Sequence, residues 1–213
     1  MSDSSCNQKQ LTSIWTPANI VTCVRIVFIP VFMIVCALSY KTAADTPLEK
    51  HFDAGLAVAA FVLYMILSLT DKVDGYLARS RNEITDFGKF LDPIADKLLV
   101  FAALLLFLQF NAVTVWTVFI IMFREFLVSA LRMVASASGV VIAADKLGKW
   151  KTATTMVSLC GYLFSFMMFG LGLFGIGFVV FTISRILMLI AVVLTVVSGA
   201  QYFWNCRDIV FSV

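Results

Sequence analysis

Asp71, Asp74, Asp92 and Asp96 are the residues of this chain best suited to chemistry. They fall in LTDKVDGYLARSRNEITDFGKFLDPIADK (residues 69–97), a charged stretch between two long apolar runs. Ionised groups this close to membrane depth are costly and persist mostly where they serve a function. Asp71 and Asp74 are three residues apart, and Asp92 and Asp96 are four apart. On helices both spacings put the two carboxylates on one face. Two such helices laid antiparallel would gather four carboxylates, which could not all stay ionised without counter-ions. Two divalent cations would neutralise them, and carboxylate oxygens suit Mg2+ or Mn2+. Gly75, Ala78 and Gly88 lie about one turn from the acids and leave room for a flat or bulky group against the backbone. Arg79, one turn beyond Gly75, could clamp a phosphate with its planar fork.

The elements that must hold these residues are membrane helices. Of the 213 residues, 61% are hydrophobic and 14% charged, and the mean hydropathy is +0.97. A soluble domain is about 45–50% apolar, so the composition indicates a polytopic membrane protein. The runs are long and unbroken rather than alternating, which points to helices and not a barrel. The expected fold is all-α, with six transmembrane helices in a single domain over residues 15–213 after a flexible tail, 1–14.

The first span is expected over residues 17–40, with Thr16 and Pro17 at its start and Pro30 placed to kink it. Residues 41–53 read as a polar loop. The second span starts at 54 and should run unbroken into the Asp71 motif, with a turn at 80–85 and a third helix over 88–110. Residues 111–114 read as a turn and 115–123 as the start of the fourth span. The fifth is expected over 153–169 and a glycine-rich turn over 170–177. The sixth has its core at 184–204. Six spans put both termini on one side. That side then holds thirteen of the sixteen Lys and Arg residues, the other holding Lys41, Lys50 and Arg185. The excess places both termini and the acidic motif in the cytoplasm, in a multi-pass plasma-membrane protein. A net charge of +3 gives no argument for nucleic acid. The five cysteines show no metal spacing, and His51 reads as a surface residue of the polar loop.

Further polar residues recur at helical spacing. Asn19, Thr22 and Arg25 share one face of the first helix. Arg124-Glu125 interrupts the fourth apolar run, and Arg132 follows two turns later on the face of Arg124. Lys149 and Lys151 stand in DKLGKWKT, residues 145–152. By itself each group can also be read as a snorkelling or positive-inside cluster.

The full pattern Asp71-x2-Asp74-Gly75-x2-Ala78-Arg79-x8-Gly88-x3-Asp92-x3-Asp96 resembles, without departure, the signature of the CDP-alcohol phosphatidyltransferases. Eight fixed residues at fixed spacing make the match specific. The likeness implies a CDP-diacylglycerol donor attacked by an alcohol, with release of CMP. It implies that Asp71, Asp74, Asp92 and Asp96 hold two metals on the pyrophosphate and that Asp96 is the general base. Asn19, Gly75, Ala78, Arg79 and Gly88 would receive the donor. Pro17-x-Asn19-x-x-Thr22-x-x-Arg25, FREFLVSALR (123–132) and Gly148-Lys149-x-Lys151-Thr152 resemble segments of the branch that uses sn-glycerol 3-phosphate, with Ser129 where that branch has Thr. Thr22, Arg25, Arg124, Arg132, Lys149 and Lys151 would then bind the acceptor phosphate, giving phosphatidylglycerophosphate. Cardiolipin and phosphatidylinositol phosphate synthases are the neighbouring alternatives within the family. A divalent-cation transporter is the alternative from another class, but the expected first, fifth and sixth spans carry no acids. Members of the family are commonly dimers, so the resemblance also allows a homodimer.

Overall fold

A computed structural model describes residues 17–42, 50–81, 86–137 and 146–211; the expected tail, 1–14, lies outside them. The described residues form six helices: α1 Pro17–Ser39, α2 Ala54–Arg81, α3 Asp86–Gln109, α4 Val115–Ala137, α5 Lys146–Gly170 and α6 Phe174–Phe211. A two-stranded antiparallel hairpin, β1 Tyr40–Thr42 with β2 Lys50–Phe52, joins α1 to α2. Asn19–Ser39, Leu147–Gly170 and Phe174–Trp204 are long and apolar enough to cross a membrane, and 54–70 and 97–109 are shorter apolar stretches. The outer surface is apolar, with Val27, Trp116, Phe178 and Val193 exposed. The chain is a helical membrane protein.

The helix ends follow local chemistry. Asp53 caps α2 by accepting the Leu56 N–H at 3.1 Å. Thr114 caps α4 by accepting the Thr117 N–H at 3.3 Å. α3 ends in a Schellman turn, with Ala112 N donating to Phe107 O at 2.8 Å and Asn111 in the left-handed region at φ 56°. α5 ends the same way: Leu173 N donates to Met168 O at 2.9 Å, and Gly172 takes φ 77° without a Cβ penalty.

The hairpin corrects the expectation of a plain loop over 41–53, and His51 lies in strand β2. Tyr40 pairs with Phe52 across it, and both rings enter the core. Tyr40 stacks on Phe110 at 4.6 Å and Phe52 stacks on Phe166 at 4.6 Å. The hairpin thereby ties the end of α1 and the start of α2 to the ends of α3 and α5. Below it, Phe32, Tyr64, Phe107, Leu159 and Tyr162 are buried. Their packing, rather than propensity, fixes the bundle.

α2 runs unbroken through the Asp71 motif, as expected. α1 stays helical across Pro30. α5 begins seven residues before the expected 153, so the Gly148–Thr152 segment is helical. α6 begins at Phe174, so the turn is shorter than the expected 170–177. Gly177 explains the difference: a Cβ there would meet the Phe169 ring at 2.6 Å. That glycine serves a close approach, not a turn.

Candidate active site

The topology collects the polar residues away from the hairpin. The start of α1, the end of α2, the start of α3, the second half of α4, the start of α5 and the second half of α6 all lie toward the other end of the bundle. α2 carries Asp71, Asp74, Gly75, Ala78 and Arg79 near its C-terminus, and α3 carries Gly88, Asp92 and Asp96 near its N-terminus. The helical backbone puts each acid pair on one face of its helix. The side chains of these residues lie outside the described set. Among the described residues no group of three or more His, Cys, Asp or Glu forms a metal site. Four carboxylates at two helical spacings remain a donor set that fits a hard, oxygen-seeking cation.

The second group is described in full. Glu125 of α4 stands at its centre. Lys151 Nζ of α5 donates to Glu125 Oε1, and Arg124 Nη1 lies 3.3 Å from the same oxygen. Arg124 Nη2 donates to Ser198 Oγ of α6 at 3.1 Å. Ser129 Oγ donates to the Glu125 carbonyl at 2.7 Å and accepts from Lys97 Nζ of α3. The side chains of Lys151, Arg124 and Glu125 are 6%, 13% and 18% exposed. Four helices thus contribute to one largely buried ionic cluster.

Small residues make room for the guanidinium. A Cβ at Gly199 would stand 3.1 Å from Arg124 Cγ, and one at Gly148 would stand 3.7 Å from Arg124 Nη2. Arg124 therefore lies between the backbones of α5 and α6. Its Nε has no partner among the described residues, which leaves one buried N–H to be satisfied.

Of the expected acceptor residues, Arg124 and Lys151 come together. Arg132 is exposed and lies over the Tyr202 ring, 5.6 Å from its centroid, in a cation–π contact. Lys149 is exposed at the start of α5. Asn19, Thr22 and Arg25 are buried along one face of α1, at 5%, 1% and 2% exposure. Burial this deep is unlike a snorkelling cap. Sequence reasoning missed Lys97, Glu125 and Ser198 as members of the cluster. Lys97 had a signal, standing one residue beyond Asp96. Ser198, a lone hydroxyl in an apolar run, had none.

Comparison with known proteins bears on this arrangement. Residues 15–198 match the family model described as CDP-alcohol phosphatidyltransferase. The chain belongs to that family. Among its relatives is the CDP-diacylglycerol–glycerol-3-phosphate 3-phosphatidyltransferase of Bacillus subtilis, 41% identical over 87% of this chain and 92% of the relative. The protein of the same name from Rickettsia bellii is 34% identical over 89% of this chain and 94% of the relative. The likeness extends over nearly every described helix, so it covers the acidic motif and the ionic cluster together.

Proposed function

We propose that the chain transfers the phosphatidyl group of CDP-diacylglycerol to sn-glycerol 3-phosphate, giving phosphatidylglycerophosphate and CMP. The observation that carries this reading is the largely buried cationic cluster centred on α4, which reaches the helix that bears Asp96 through Lys97. Among the described residues, Lys97, Arg124 and Lys151 bring three positive charges to the one carboxylate of Glu125, a sum of +2. A neutral alcohol has no use for that excess, whereas a phosphate dianion matches it. The names of the relatives support the same acceptor.

In this reading the bundle spans the membrane six times, with both termini and the acidic motif at the cytoplasmic face of the plasma membrane. The charge distribution supports that orientation. Asp71, Asp74, Asp92 and Asp96 would hold two Mg2+ or Mn2+ ions, which when bound supply neutralising charge to the pyrophosphate. Gly75, Ala78 and Gly88 leave space for the cytidine side of the donor, Arg79 neutralises a donor phosphate, and Asn19 lines the donor side. Arg124 and Lys151 grip the acceptor phosphate, with Thr22, Arg25, Arg132 and Lys149 around them. Asp96 takes the proton of an acceptor hydroxyl. The freed oxygen bonds to the phosphorus that carries diacylglycerol, and the bond from that phosphorus to CMP breaks.

The test is an acceptor panel with purified protein, CDP-diacylglycerol and Mg2+, read as CMP release and lipid product. Glycerol 3-phosphate should be the best acceptor and glycerol a very poor one. Better turnover with inositol phosphate or phosphatidylglycerol would reassign the acceptor, and no turnover with any acceptor would end the transferase reading.

A further inference from the structure

We propose that Glu125 is a positioning residue for the acceptor: its carboxylate fixes Lys151 and Arg124 so that both meet the acceptor phosphate already ordered. The inference rests on the reading that the acceptor carries a phosphate. Glu125 does not itself suit a dianion, because like charges repel. Its influence must pass through the cations it touches. It touches two, from two directions: Lys151 Nζ on α5 and Arg124 Nη1 beside it on α4.

Lys and Arg carry large rotamer freedom, and ordering them on a ligand weakens binding. Here protein groups already hold both cations. The Glu125 backbone is itself clamped, since Ser129 Oγ donates to its carbonyl and Lys97 donates to Ser129. Arg124 is held at its far end by Ser198 and lies between Gly148 and Gly199. The cations are thus held by protein contacts, and among the described residues the cluster keeps its positive excess.

A different role would reverse the sign. If Glu125 were a stand-in counter-ion that the acceptor must displace, removing its charge would tighten acceptor binding. If it positions the cations, removing its charge loosens them and weakens binding although the net positive charge rises.

The experiment is steady-state kinetics on the full-length protein in detergent, with CDP-diacylglycerol, Mg2+ and varied glycerol 3-phosphate. Glu125→Gln should raise the acceptor KM about tenfold, the low end for one charge-assisted contact because the amide oxygen still accepts. Donor KM and kcat should change less than about threefold, a split that general loss of fold does not produce. Glu125→Asp keeps the charge on a shorter stem and should fall between. Lys151→Met combined with Glu125→Gln should raise the acceptor KM by less than the product of the two single effects, since Glu125 acts in part through Lys151. An unchanged or lowered acceptor KM in Glu125→Gln overturns the inference. Should that variant not fold, an unchanged acceptor KM in Glu125→Asp overturns it equally. Wild-type protein that ignores glycerol 3-phosphate overturns the acceptor reading and this inference with it. Wild-type turnover with unmoved variants overturns the inference alone.

Discussion

Replacing Lys151 by Met keeps most of the buried stem and removes the charge. Lys151 is 5% exposed, with Nζ against Glu125 Oε1. The loss to acceptor binding is one charge-assisted contact to phosphate, about 1.5–3 kcal/mol. At about 1.4 kcal/mol per decade, this raises the KM for glycerol 3-phosphate roughly ten- to hundredfold. The structure also limits the damage to folding. A buried charge that loses its partner outright costs about 3–5 kcal/mol. Glu125 keeps Arg124 Nη1 at 3.3 Å, so the variant should lose less than that. Steady-state kinetics in detergent, varying each substrate at saturation of the other, separates the effects. Donor KM should move less than about threefold, because only an acceptor contact is lost. If Lys151→Met alters donor KM alone, or leaves acceptor KM unmoved, the cluster does not bind the acceptor phosphate.

Three further outcomes follow from the same chemistry. Strong chelation should abolish turnover, and Mg2+ or Mn2+ should restore it, because four carboxylates brought together as proposed would not all ionise alone; full activity in excess chelator would remove the two-metal reading. Asp96→Asn should lower kcat by about 10²–10⁴-fold, since an amide takes no proton; a rate within a small factor of wild type at saturating metal and substrate would exclude Asp96 as base. Gly161→Ala should lower the melting temperature, because a Cβ there collides with Ser184 Oγ and stands 3.3 Å from Ser184 Cβ, at an overpacking cost of about 1–3 kcal/mol. Adding Ser184→Ala should recover part of that loss, and a Gly161→Ala protein as stable as wild type would mean that α5 and α6 do not touch there.

Much of the helical frame was legible because apolar runs of span length have few other solutions. The passage of α2 straight into the Asp71 motif followed from acids and glycines kept at helical spacing. What was not legible depended on distant partners. Tyr40 and Phe52 pair because Phe110 and Phe166 receive them, and short strands around a polar loop carry no periodicity to announce this. Gly175 and Gly177 read as turn residues, yet Gly177 admits the Phe169 ring, and of the described glycines only Gly172 takes a positive φ. Lys146–Lys151 fell outside the expected fifth span because charge there resembles a membrane boundary. Lys151 instead folds inward to Glu125 from the first turns of α5. The resemblance implied that Arg124, Arg132, Lys149 and Lys151 meet one phosphate; of these, Arg132 and Lys149 are exposed, and Arg124 and Lys151 share Glu125. Their anchor, Glu125, was visible only as a neighbour of Arg124, since one-dimensional spacing does not show which helix approaches it.

The central claim is that this site joins a CDP-activated lipid to a phosphorylated acceptor. The most direct measurement compares glycerol 3-phosphate with glycerol as acceptors for the purified protein, with CDP-diacylglycerol and Mg2+, following CMP release and the lipid formed. The account predicts phosphatidylglycerophosphate from the first and almost no product from the second, because glycerol offers Arg124 and Lys151 no phosphate to match the positive charge that Glu125 leaves over. Equal turnover of the two acceptors, or product from glycerol alone, would contradict it.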